Sequence, residues 1–327
     1  MKKIILVFFI IIGILFAYGW YSKEGDYISS MGKEKFSTWI VYWDLDNGMK
    51  AMQNTKDEIK NISYFAAYFN QDYELFIPNN IKNLHVYFEE MEANHFLSLT
   101  NDIVYEDGTS LLKDEEILYF LFQGHREKHI ENILNICQKY NYDGIEIDYE
   151  GLKNNEILWA DFLEFLQELW EALDSNNLKM RVVLEPSIDF KKLEFPKGPD
   201  YIIMCYNLYG PHSGPGPKAN KNFLESIVKN TETNIGEFEY ALATGGFNWD
   251  GENNIKAILE KEAIEISKKY NIIPKRDKES NALYFKYTDD KNVKHEIWYA
   301  DRETMDYWIS ILKGKGAKKF SLWRLGS

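Results

Sequence analysis

Glu146, Asp148 and Glu150 stand two residues apart in the stretch Tyr142-Asp143-Gly144-Ile145-Glu146-Ile147-Asp148-Tyr149-Glu150. Along an extended strand, side chains alternate between faces. The three carboxylates therefore share one face, and Ile145, Ile147 and Tyr149 share the other. Like charges stacked this closely repel, and burying them penalises the ionised form. A carboxylate raised in this way can hold a proton near neutral pH, which a general acid for glycosidic bond cleavage needs. A strand with a solvated acidic face would carry the same pattern.

The flanking elements bear on that choice. Helical periodicity runs over Leu111–Tyr140 before the strand and over Glu156–Asn176 after it. A strand between two helices predicts a parallel sheet with covered faces. Strand patterns recur at Phe36–Trp43, Asn61–Phe69, His95–Thr100, Gly144–Glu150, Met180–Glu185, Tyr201–Tyr206, Tyr240–Ala243 and Lys319–Trp323. Further helices are predicted over Asn253–Tyr270 and Arg302–Lys313. Eight strands with intervening helices predict an α/β fold, a (β/α)8 TIM barrel whose C-terminal mouth carries the chemistry. An open doubly wound sheet is the alternative; no Gly-x-Gly-x-x-Gly follows the first strand to support it. A small β-hairpin is expected before the last strand, from Ala282–Tyr287 and Lys294–Ala300 about the turn Asp289–Asn292.

The stretch from Asp143 to Glu150 resembles the motif of glycoside hydrolase family 18: Asp-Gly, apolar, Asp or Asn, apolar, Asp, any residue, Glu. Glu146 departs from it, standing where Asp or Asn is usual. The resemblance extends over roughly residues 36–327 and implies a chitinase-like barrel. It implies that Glu150 is the general acid and that the substrate's own 2-acetamido group is the nucleophile, the exception to two-carboxylate hydrolysis. Asp148 would then hold the acetamido N–H, and Glu146 would lie one layer deeper, bonded to Asp148 or packed at the base. Met204-Cys205-Tyr206-Asn207 resembles the family's Met-x-Tyr-Asp motif. Tyr206 would align the acetamido carbonyl, Asn207 replaces the usual Asp, and Trp323 would floor the sugar site. Met204 is placed with them. Spore-cortex-lytic members carry a similar hairpin, which favours peptidoglycan-type substrates. By position at strand ends, Tyr42, Trp43, Asp44, Phe69, Asn70, Glu185, Asn248 and Trp249 are expected to line subsites.

Composition narrows the partners. Formal charge is −13, which disfavours nucleic acid and anionic membrane surfaces. Aromatics at 16% suit sugar stacking and equally suit an aromatic core. The expected partner is an N-acetylglucosamine-containing polysaccharide, bound by a monomer without metal or cofactor. Lys2 and Lys3 precede an apolar run, Ile4 to Trp20, that reads as a signal peptide or a membrane anchor. Residues 21–35 read as a linker and 36–327 as the barrel domain. The protein is accordingly expected outside the cytoplasm, secreted or anchored. Cys137 and Cys205 are expected as buried free thiols. His125 and His129 lack the His-Glu-x-x-His order and are expected on a solvated helix face. Two other functions compete with the enzyme: a catalytically silent, lectin-like barrel, disfavoured by the presence of Glu150, and an anchored scaffold.

Overall fold

The computed structural model describes residues 35–326, apart from 89, 108, 153–154, 233–235 and 252–253. The predicted signal or anchor and residues 21–34 of the predicted linker lie outside the described residues. Eight parallel strands close into a barrel: β1 (Phe36–Val41), β2 (Ile59–Phe69), β3 (Asn94–Val104), β4 (Gly144–Asp148), β5 (Lys179–Leu184), β6 (Asp200–Met204), β7 (Glu239–Ala243) and β8 (Lys319–Trp323). β8 pairs back onto β1, and β2 pairs with β3, so the ring has no free edge. The fold is the (β/α)8 barrel that the strand count predicts.

Alternation explains the layering. Ile145 and Ile147 of β4 point outward and join Leu97, Leu99, Val182 and Leu184 in the shell between strands and helices. That shell is closed by Phe162, Phe165, Leu166 and Leu169 of α4 (Glu156–Asp174) and by Met305 and Trp308 of α7 (Arg302–Gly314). Each such side chain contributes about 1.5–3 kcal/mol. The helix starts are fixed by side-chain caps: Asp114 accepts from Ile117 N, Asn155 from Leu158 N and Asp301 from Thr304 N.

Two helical expectations are corrected. Leu111–Tyr140 is not continuous: Ser110–Leu111 is a short strand, and α2 (Glu115–Gly124) and α3 (Arg126–Tyr140) break at His125. Gly124 weakens the helix there, and the His125 ring stacks on Phe120 with its Nδ1 2.9 Å from the Phe120 carbonyl oxygen. Residues 255–258, expected as helix, form a strand, and the helix runs only over Glu260–Lys269. The reason is tertiary: Ile255–Ile258 pairs with Gly246–Trp249.

The predicted hairpin is present but belongs to something larger. Leu283–Thr288 and Lys294–Ala300 are two strands of a five-stranded antiparallel sheet with Gly245–Asp250, Ile255–Ile258 and Lys275–Arg276. One face buries Ile258, Ala263, Phe285, Ile297 and Tyr299. The insertion thus has its own small core between β7 and α7. Cys137 and Cys205 are buried and free, as expected.

Candidate active site

The Asp143-Gly144 pair sets where β4 starts. Asp143 Oδ2 accepts the His95 N–H at 2.8 Å. A Cβ on Gly144 would stand 2.1 Å from the Lys179 carbonyl, so only glycine lets β5 approach here. From this start, Glu146 and Asp148 face the barrel interior and Glu150 emerges at its C-terminal mouth.

Glu146 is fully buried. Its Oε1 accepts from Trp39 Nε1 and Ser98 Oγ, and its Oε2 from Ser63 Oγ at 2.7 Å and Arg181 Nε at 2.9 Å. Arg181 stands beside it in the β4–β5 register and also reaches Glu239 of β7 at 3.4 Å. Glu146 does lie one layer below Asp148, but its oxygens are saturated by these four donors. The expected hydrogen bond to Asp148 is therefore not made: the extra methylene of Glu carries the carboxylate to Arg181 instead. Arg181 and Glu239 were missed from sequence. An Arg and a Glu at inward positions of β5 and β7 were the available signal, since a charge inside a barrel needs a counter-charge.

Asp148 is buried, and its Oδ1 has no hydrogen-bond partner. Burial, with Glu150 and Glu146 nearby, pushes its carboxyl well above the usual range. Burial also raises Glu150, with Lys113 opposing and Glu185 and Asp102 adding. Lys113 forms an ion pair with Glu150 Oε2. Asn101 holds the backbone of the acid: its Oδ1 accepts the Glu150 N–H, and its Nδ2 donates to the Glu150 carbonyl, both at 2.9 Å. Lys113, Asn101 and Asp102 were also missed, because they lie far from β4 in sequence.

Tyr206 is buried beside Asp148 and Glu150; burial, then those charges, pushes its hydroxyl well up. Met204, Tyr206, Trp39 and Ala243 form one inner cluster, with Phe65 and Trp323 packed against it. Asn207 follows at φ 62°, in the left-handed region, and is exposed. Aromatic rings run from Trp39 through Trp323 at 5.5 Å and Phe65 at 5.2 Å to Trp43 at 5.6 Å. Trp43 is 53% exposed, leaving its ring free to stack on a ligand. A cavity of about 270 Å³ brings Trp43, Phe65, Tyr68, Asp102, Lys113, Asp148 and Glu150 together.

Four expectations fail here. Phe69 does not line the cleft: it is buried in the outer shell, 5.7 Å from the His129 ring. The β2–β3 register shifts between Phe65 and Ala67 and again before Phe69, so counting by two from Phe65 gives the wrong face. Phe65 and Tyr68 are the β2 aromatics that line the cleft. Trp249 is buried and donates its indole N–H to the Ser213 carbonyl at 3.1 Å, bracing the 210–217 loop against the insertion. Asn248 also belongs to the insertion sheet, 3.1 Å from His295 Nδ1. His129 is not solvated: it is buried, its Nε2 2.8 Å from the Tyr149 hydroxyl.

Comparisons with known proteins agree with this architecture. No protein-family model matches the chain. It is 24% identical over 217 residues to the uncharacterized glycosylase YvbX of Bacillus subtilis, covering 62% of each. It is 25% identical over 224 residues to the cortical fragment-lytic enzyme of Bacillus anthracis, covering 62% of this chain and 50% of that protein. The chain thus spans less than two thirds of the length of these curated relatives. Among solved structures, the spore cortex-lytic enzyme SleL of Bacillus cereus superposes with TM-score 0.76 at 18% identity, over 90% of this chain and 71% of that one. A chitinase from Chromobacterium violaceum superposes with TM-score 0.74 at 16% identity, over 89% and 94%. The resemblance to chitinase-like, spore-cortex-type barrels therefore stands.

Proposed function

We propose that this chain is a glycosidase cleaving β-1,4 bonds next to N-acetylglucosamine in peptidoglycan- or chitin-type glycans, with retention of configuration. The observation that carries the reading is Asp148 Oδ1, a buried acceptor without a partner beneath Glu150. Buried acceptors are rarely left unpaired. An acetamido N–H of a bound sugar supplies what this oxygen lacks.

In this reading the Tyr206 hydroxyl donates to the acetamido carbonyl and aligns its oxygen on the anomeric carbon. That oxygen attacks, and the glycosidic bond breaks as Glu150 gives its proton to the leaving oxygen. Asp148 steadies the positive charge that develops on the oxazolinium ring. Water then attacks the anomeric carbon, breaking its bond to the acetamido oxygen and so restoring the acetamide, and a water proton returns to Glu150. Trp323 and Phe65 floor the sugar site, and Trp43 extends the platform. Peptidoglycan is favoured by the names of the relatives, and export by the apolar N-terminal run.

The test compares wild type with Glu150→Gln on chito-oligosaccharides and on purified peptidoglycan. Turnover is expected from wild type, and loss of turnover with sugar binding kept from the variant. A wild type that binds these glycans without cleaving either would instead make this a lectin-like barrel.

A further inference from the structure

The loop that carries Lys113 is built onto the backbone that carries Glu150. Ser110–Leu111 pairs with Ile103–Val104 at the end of β3. The Lys113 N–H donates to Asp102 Oδ1 at 2.9 Å, and its φ of 56° is a left-handed conformation that a lysine rarely adopts. Asn101 bridges the two segments: its Nδ2 donates to the carbonyls of both Asp114 and Glu150. One side chain therefore fixes the spacing between the loop after Lys113 and the acid. The Lys113 side chain is 49% exposed, whereas that of Glu150 is 15% exposed. The ammonium covers Glu150 Oε2 from the cleft side, on a stem flexible enough to swing away.

The groups around this pair are acidic. Asp102, Asp148 and Glu185 act on it from β3, β4 and the end of β5. Tyr206 faces it from beyond β6, and Tyr42 and Tyr68 line the same cavity. Lys113 is the ammonium set among these carboxylates.

We propose that Lys113 is a positioning residue for Glu150, pairing with the ionised acid in the empty cleft and releasing it to take up a proton when a glycan enters. The inference rests on the glycosidase reading for its catalytic consequence, but the pairing itself is independent of it. In the cycle, Glu150 gains a proton from solvent as Lys113, still an ammonium, leaves Oε2. That proton passes to the leaving oxygen as the glycosidic bond breaks. The proton that Glu150 recovers from the attacking water returns to solvent as Lys113 re-forms the pair. Lys113 favours the charged form, so it holds the alkaline limb of kcat/KM at lower pH than Glu150 alone would.

The experiment measures kcat/KM against pH for the full-length chain, Lys113→Met, Lys113→Gln and Lys113→Arg. A parallel 13C NMR titration follows the glutamate carboxyl resonance that disappears in Glu150→Gln. Both neutral variants should move the alkaline limb and the carboxyl midpoint upward by about 1 unit, and Lys113→Arg should restore both. A fall in rate with neither limb nor midpoint displaced would overturn the proposal. If wild type cleaves no glycan, the glycosidase reading fails, and the carboxyl titration alone decides the pairing. An unmoved midpoint then rejects it, and an upward shift sustains it.

Discussion

A buried carboxylate with an empty acceptor site is costly to keep, so Asp148 works against the stability of the fold. Its carboxyl is raised by burial and by Glu150 and Glu146, which means that the folded protein resists its ionisation. Asp148→Asn keeps the shape and removes the charge. It should raise the stability of the fold at neutral pH, because the ionised carboxylate that burial disfavours is gone. If the proposed mechanism operates, turnover should fall by orders of magnitude, because the neutral amide would no longer balance the oxazolinium charge. Thermal melts and a chito-oligosaccharide assay on the same preparation check both directions. A variant that is less stable and fully active would contradict this account of Asp148.

At the scale of the elements, the barrel floor is held by Arg181 between Glu146 of β4 and Glu239 of β7. Its guanidinium also lies over the Phe96 ring at 5.4 Å. Arg181→Met leaves two buried carboxylates without their cation and should cost ~3–5 kcal/mol, read from the urea midpoint. A second element-level device is the packing of α3 on β4 through His129, whose ring stacks near Phe165 and Tyr149. Burial lowers its pKa from 6.5 to about 3. Between those values the unfolded chain binds a proton that the folded chain refuses. The contribution is therefore complete above about pH 6.5 and is lost as pH falls, at ~1.4 kcal/mol per unit. Urea unfolding of wild type and His129→Phe between pH 6.5 and 4.5 should show a shallower slope in the variant. Parallel slopes would mean that His129 is protonated in the fold.

For the whole molecule, β1 starts at Phe36, and Lys35 already sits at the surface, 3.6 Å from Glu92. A chain lacking residues 1–20 should therefore keep the barrel, with the far-ultraviolet circular dichroism and melting transition of a folded α/β protein. Among the described residues, no helix is long and apolar enough to cross a membrane. Recovery of the truncated chain only as unfolded aggregate would show that the N-terminal run contributes to the fold itself. The insertion between β7 and α7 has its own buried cluster and meets the barrel through the Trp249–Ser213 contact. It forms a second wall beside the 210–217 loop.

The residues that do local work were legible in the sequence. Alternation along β4 put Glu146 and Asp148 inside, and β8 matched its predicted bounds at Lys319–Trp323. The eight barrel strands follow from apolar runs whose spacing depends only on near neighbours. What the sequence could not reveal was set by partners distant along the chain. Arg181 claimed Glu146, and Lys113 claimed Glu150 across 37 positions. A register shift after Phe65 turned Phe69 out of the cleft, and cross-strand pairing made Ile255–Ile258 a strand where periodicity suggested a helix. Side-chain alternation is a property of one strand. Charge pairing, bulges and edge-strand recruitment are properties of two segments brought together, and only the closed barrel with its insertion decides which two.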